Sequence, residues 1–244
     1  MSPPRPAKVS RREWLAFSWF PFFRPKYTQL AGARFRIVRN GRSKRRYLLI
    51  HGDEETARAV LLRHMETHEG IAYLVEGKTR NVPIEDGAID PNRMFSRAGA
   101  ERSLKGLNKD WSKQQVDAAL AILDRGREHL VDAFFPPKDG LLIALHNNSE
   151  EYSVRDEEPI SDDKSIRDPE NPHAFFLCTD ASDFKLLAGS PYNVVFQRDK
   201  PQEDDGSLSR LATKNNVRYV NLEGRLGNTD RQTEMLRWLD WNLP

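Results

Sequence analysis

The sequence predicts an α/β fold: a single domain whose mixed, mostly parallel central sheet is flanked by helices on both faces. Three observations predict it. Several short runs are apolar at every position, as strands buried on both sides must be. These runs alternate with segments of helical periodicity. The chain, 244 residues at 38% hydrophobic, is long enough to bury a sizeable core and holds no linker that would set off a second unit.

Residues 33–38 and 47–50 read as strands around Asn40-Gly41, a pair suited to a tight hairpin turn. Residues 54–68 read as a helix, because Ala57, Val60, Leu61 and Met65 recur at its spacing. Gly70 ends it, and 71–75 is a short apolar strand. The longest helical pattern covers 112–135, capped by Ser112 and stopped by Pro136-Pro137. Residues 141–145 are continuously apolar, a strand covered on both faces. Between 150 and 170 the chain holds nine acids against three bases, with Pro159 and Pro169, and reads as a surface loop. Strands follow at 174–178, 193–196 and 217–222, and a last helix at 229–241.

Charge is unevenly placed. Residues 1–46 hold 13 of the 38 Lys+Arg and only Glu13 of the 36 acids, a charge of +12 that the remainder brings down to +2. Residues 1–32 are expected to form a basic, aromatic arm. Their Ser10-Arg11-Arg12-Glu13-Trp14-Leu15 start, followed by an apolar stretch, also suits an export segment, so the expected location is cytoplasmic with export to the periplasm as the alternative. No apolar run approaches the roughly 20 residues of a membrane-spanning helix. A single cysteine, Cys178, excludes an internal disulfide and a cysteine-built zinc cage, and its apolar strand marks it as a core residue.

Three strand ends carry ionisable residues. Leu48-Leu49-Ile50 runs into His51-Gly52-Asp53-Glu54; Leu141–Leu145 ends at His146-Asn147-Asn148; and the strand at 217–222 is followed by Glu223. In open parallel sheets, sites form in the crevice at the carboxyl ends of the strands. His51, Glu54 and His146 there make a two-histidine, one-carboxylate zinc set with a fourth position open to water. Zinc acidifies that water and polarises a carbonyl. Glu223 is placed to take the water's proton and pass it to a leaving amine.

With Asp90-Pro91-Asn92-Arg93-Met94-Phe95 added, these islands resemble the zinc carboxypeptidase superfamily, including its aspartoacylase and succinylglutamate desuccinylase branch, in the same order along the chain. The spacing of 92 residues from Glu54 to His146 is nearer the compact deacylase branch. The resemblance covers roughly residues 45–240. It implies that 33–244 is a zinc hydrolase domain, that Asn92 and Arg93 bind a substrate carboxylate, and that Arg80, in Thr79-Arg80, polarises the scissile carbonyl. Either Tyr152 or Tyr192 would match the tyrosine that carboxypeptidases bring over the substrate.

Two decoys accompany these signals. His64 and His68 lie four apart on the helix, but Met65 stands where H-E-x-x-H places its base, so a solvated face is expected. The basic run Arg42–Arg46 lacks interleaved aromatics and reads as a solvated hairpin, which argues against nucleic acid as a partner. No phosphate-binding glycine motif occurs. The expected activity is zinc-dependent hydrolysis of an amide bond in a carboxylate-bearing substrate, either a peptide losing its last residue or an N-acyl amino acid. The alternative outside catalysis is a binding module with a basic arm. The sequence leaves the oligomeric state open.

Overall fold

The computed structural model describes residues 26–149 and 151–244. Most of the arm, residues 1–25 with Arg11-Arg12, lies outside the described residues. The sheet begins earlier than residue 33: β1 (Lys26–Leu30) pairs antiparallel with β2 (Ala33–Asn40). Asn40-Gly41 turns the chain, with Gly41 at φ +62°, yet no hairpin follows. β3 (Arg46–Leu49) leads into α1 (Glu55–His64), and β4 (Gly70–Val75) then inserts between β2 and β3. β4 runs antiparallel to β2 and parallel to β3. Burial explains the insertion. β4 is buried at all six positions and β3 at three of four, so both take interior places, while β2 keeps exposed and half-buried residues suited to the margin.

A two-stranded ribbon, β5 (Val82–Ile84) with β6 (Gly87–Ile89), and α2 (Arg97–Leu107) precede the long α3 (Lys113–Phe134). Ser112 and Gln115 close a capping box at the start of α3. β7 (Leu142–Asn148) follows. The acidic stretch is not a plain loop: it folds into α4 (Val154–Glu157), a 3₁₀ turn and β8 (Asp163–Ser165), which pairs at the sheet's edge. Ser153 and Asp156 cap α4 reciprocally; Glu151, Asp156, Asp162, Asp163 and Glu170 are exposed, while Glu157 is half-buried and lines the cavity. β9 (Phe175–Cys178), α5 (Ala181–Leu187), β10 (Asn193–Phe196), α6 (Leu208–Lys214), β11 (Tyr219–Arg225) and α7 (Thr229–Asn242) complete the order.

The nine-stranded sheet runs β1-β2-β4-β3-β7-β11-β9-β10-β8. Its centre, β4-β3-β7-β11, is parallel; β9 and β10 are parallel to each other and opposed to β11. Alternation along the strands divides two cores. Leu48, Leu142, Ala144, Leu177 and Tyr219 pack with α2, α3 and α6 on one face. Tyr47, Leu49, Ile143, Leu145, Val220 and Leu222 pack with α1 and α7 on the other. His146 and Glu223, two positions beyond Ala144 and four beyond Tyr219, fall on the first face. Both cores show helices covering the sheet on either side, as the sequence implies. Among the described residues no helix is long and apolar enough to cross a membrane.

Asn147 points to the second face and locks it. Its Oδ1 accepts from Ala57 N at 2.8 Å, in the first turn of α1, and its Nδ2 donates to Gln232 Oε1 of α7 at 3.0 Å. Gln232, fully buried, donates to the His146 carbonyl at 2.9 Å. Asn147→Ala leaves buried groups of both helices unpaired. It is expected to cost about 1–3 kcal/mol of unfolding free energy, read from chemical denaturation.

The His64 region is not solvated. His64 is buried, its Nε2 lies 2.5 Å from Asp240 Oδ2 of α7, and its ring stacks on His68 at 3.9 Å. Tyr47 Oη donates to Asp240 Oδ1 at 2.9 Å, and Arg45 pairs with the same carboxylate. Part of the basic run thus pins the last helix, a long-range contact that local periodicity does not report. With Arg45, Tyr47 and His64 already on Asp240, this cluster is a structural one.

Candidate metal centre and its pocket

β3 ends one residue before Ile50, and the chain then turns through His51-Gly52-Asp53-Glu54 into α1. Gly52 is needed there: a Cβ would meet Thr79 O at 2.6 Å, and Gly52 N donates to that same carbonyl at 3.1 Å. The turn therefore packs directly on the loop that carries Arg80. Glu54 is brought back beside His51, and β7, next to β3 in the sheet, supplies His146.

His51, Glu54 and His146 are all buried, and their ligand atoms lie within 4.8 Å of one another. His51 Nδ1 donates to Glu54 Oε1 at 2.9 Å and His146 Nδ1 donates to the same oxygen at 3.2 Å. Glu54 Oε2 is buried with no hydrogen-bond partner. Two imidazole Nδ1 atoms converging on one carboxylate, with an orphaned buried oxygen beside them, fit a divalent cation of the borderline N/O-preferring kind.

Asp90 completes the arrangement. Its Oδ1 accepts from His51 Nε2 at 2.9 Å and from Asn92 N at 2.8 Å. A carboxylate on the distal nitrogen fixes the ring so that Nδ1 faces the centre. The sequence flags Asp90 only as the first letter of its motif; the signal was the motif's own acid, whose partner is 39 residues away.

Charges answer one another closely. Burial alone pushes the Glu54 carboxyl up, but His146 and His51 outweigh it and hold it down at about 2. Burial alone lowers His51, but Asp90 and Glu54 raise it to about 9. Burial likewise raises Asp90, and the His51 hydrogen bond and charge, with Arg80, bring it to about 2. His51 is therefore protonated at neutral pH before any metal binds. Because its folded value is raised, its contribution to stability is full below the unfolded value of about 6.5 and is lost as pH rises through about 9. Ligation through Nδ1 requires that proton to leave. If these residues take up a divalent ion, uptake at pH 7 is expected to release about one proton, and affinity to climb with pH toward about 9. Calorimetric titrations in buffers of different ionisation enthalpy measure this.

Glu223 stands directly across the β7–β11 ladder from His146, on the same face. Burial pushes its carboxyl up and Glu54 adds to this, against His146 and the amides that donate to it. Those amides are Asn221 Nδ2 at 3.0 Å and Asn148 Nδ2 at 3.3 Å. Neither was singled out from sequence; each is simply two residues from Glu223 or His146 on the same strand face.

Arg80 sits at the rim, half exposed, 3.8 Å from both Glu54 Oε1 and Asp90 Oδ2. Arg93 and Asn92 line the same cavity, of about 590 Å³, but both have partners. Arg93 pairs with Asp205 at 2.6 Å, and Asn92 Oδ1 accepts from Leu208 N at 3.1 Å. Of the two tyrosines, Tyr152 lines the cavity and donates to Glu157 at 2.5 Å. Tyr192 packs on Phe176 and Trp238 in the opposite core.

All seven residues singled out from sequence as site residues thus border this cavity. No family model and no curated protein matches the chain. Similar solved structures are a succinylglutamate desuccinylase/aspartoacylase from Rhodobacter sphaeroides, an aspartoacylase family protein from Mesorhizobium loti MAFF303099, and a protein from Shewanella amazonensis SB2B described as a candidate metallopeptidase. The first is 14% identical with a TM-score of 0.42; the alignment covers 86% of this chain and 59% of the other, so this chain spans about three-fifths of that protein's length. The second is 14% identical with a TM-score of 0.43, covering 92% and 69%. The third is 12% identical with a TM-score of 0.42, covering 89% and 86%.

Proposed function

We propose that the chain is a zinc-dependent hydrolase of an amide bond in a substrate that bears a free carboxylate. The observation that carries this reading is the convergence of two Nδ1 atoms on Glu54 with a second, separately buried carboxylate facing them. His51, Glu54 and His146 would hold the ion, with Asp90 orienting His51. The ion would supply Lewis acidity toward the carbonyl and toward water, which is the usual role of zinc in hydrolysis.

The chain's own groups do the rest. Glu223, raised by burial, is a stronger base than an ordinary carboxylate and takes the proton of the attacking water. It then gives that proton to the leaving amine, which departs neutral. Arg80, close to the centre but not bound tightly to either acid, stabilises the oxyanion as charge develops. Asn92 and Arg93 border the wall where a substrate carboxylate would lie.

A hydrolysis screen with zinc supplied tests the reading, comparing peptides that lose a C-terminal residue with N-acyl amino acids. Turnover that disappears on chelation and returns with zinc is expected. A protein that binds zinc stoichiometrically and cleaves neither class would instead be a binding module. The screen also decides between peptide and acylated amino acid, both of which fit a small-molecule cavity of this size.

A further inference from the structure

Glu54, His146 and Glu223 come from three different elements, and a relay of hydrogen bonds behind the sheet joins all three. Glu54 stands one residue before α1, His146 lies near the end of β7, and Glu223 faces it from β11. Ala57 N, one of the first-turn groups that a helix leaves free, donates to Asn147 Oδ1 at 2.8 Å. Asn147 Nδ2 donates to Gln232 Oε1 at 3.0 Å, and to the carbonyls of His146 and Gly224 at 3.3 Å each. Gln232 Nε2 donates in turn to the His146 carbonyl at 2.9 Å. Gln232, on α7, is 0% exposed and seats directly against β11: a Cβ on Gly224 would come within 3.1–3.3 Å of its side chain.

Donors and acceptors in this relay are fixed at both ends. A backbone N–H only donates, so Asn147 must turn its oxygen toward Ala57 and its nitrogen toward Gln232. A backbone carbonyl only accepts, so Gln232 must turn its nitrogen toward His146. Neither amide can flip without setting like groups against each other in the buried layer between the sheet and α7, where an unmade bond is costly. Both polar atoms of Gln232 are thus committed to β7, while its methylenes fill the space that Gly224 leaves beside Glu223. Packing alone does not demand an amide there, since the other buried residues of α7, Met235, Leu236 and Leu239, are apolar. We propose that Gln232 is a positioning residue for the metal centre: it sets where His146 on β7 stands relative to Glu223 on β11 and to Glu54 ahead of α1. The effect on an ion rests on the hydrolase reading above; the relay itself does not.

The test compares Gln232→Met with Leu239→Ala in the full-length chain. Methionine keeps the length of the side chain, and the His146 and Gly224 carbonyls still face Asn147 Nδ2, so the variant is expected to fold. Leu239→Ala removes core volume from the same helix without touching the relay. Metal is removed by chelation and zinc titrated back, with thermal unfolding recorded for each protein. Gln232→Met should weaken zinc by about tenfold or more, as loss of a group that holds a ligand in place does, and should alter the visible spectrum of cobalt(II) bound instead. Leu239→Ala should lower the unfolding temperature at least as far, yet weaken zinc by less than about threefold, because the site lies apart from it. Should Gln232→Met fail to fold, Gly224→Ala, which presses on Gln232 from β11, replaces it with the same expected loss of zinc affinity. Equal losses of zinc in the relay and core variants, or unchanged affinity in the relay variant, would overturn the proposal. A chain that takes up no zinc before any change refutes the hydrolase reading instead. Hydrogen exchange of the metal-free protein then decides the relay: exchange should quicken at the ends of β7 and β11 in Gln232→Met and not selectively there in Leu239→Ala, and equal patterns would overturn it.

Discussion

Glu54→Gln is expected to remove zinc binding while leaving the chain folded. Glutamine keeps the volume of the side chain but takes away the only negative oxygen on which both Nδ1 atoms converge. Zinc prefers anionic oxygen and neutral imidazole, and without the anion two ligands remain. Affinity should fall by more than the roughly 10–100-fold that loss of an outer partner costs. Asp90→Asn provides that graded comparison, since Asp90 reaches the centre only through His51 Nε2. Zinc per chain after dialysis, with thermal unfolding as a folding control, measures both. Undiminished zinc in the Glu54→Gln protein would show that the ion binds elsewhere or not at all through this trio.

Glu223→Gln is expected to do the opposite: keep zinc and lose turnover. Glu223 belongs to the next strand, outside the trio's hydrogen bonds, and its own partners Asn221 and Asn148 are amides that can rotate to bond a glutamine. Loss of a general base costs roughly 10²–10⁴-fold in rate. The effect should fall on kcat, with KM little changed, because the proton transfer occurs in the transition state. Burial places the titration of Glu223 above that of an ordinary carboxylate, so activity should rise with pH as it deprotonates and the acid limb should disappear in the variant. Retained turnover in Glu223→Gln would assign the base elsewhere.

How much of this was legible in the sequence differs between the centre and its surroundings. His51, His146 and Glu223 could be read because three strand patterns each finish in an ionisable residue, at the end of the sheet where crevices form. Their neighbours in the sheet could not. Asn40-Gly41 has hairpin chemistry, and its local turn forms, but β4, buried at every position, takes the place beside β3, buried at three of four. Burial of His64 depends on Asp240, which arrives from the far end of the chain.

The candidate ion-holding trio is encoded entirely before residue 150 and the proposed base, Glu223, after it. The two are joined by the seven-residue seam between β7 and β11, where His146 meets Glu223 side by side. Because successive side chains on a strand leave from opposite faces, slippage of that seam by a single residue would turn Glu223 toward α1 and α7, away from His146 and the candidate ion site. The same slip would exchange Tyr219 with Val220 and Leu222 between the two cores, so the packing that fixes this register also fixes Glu223 beside His146.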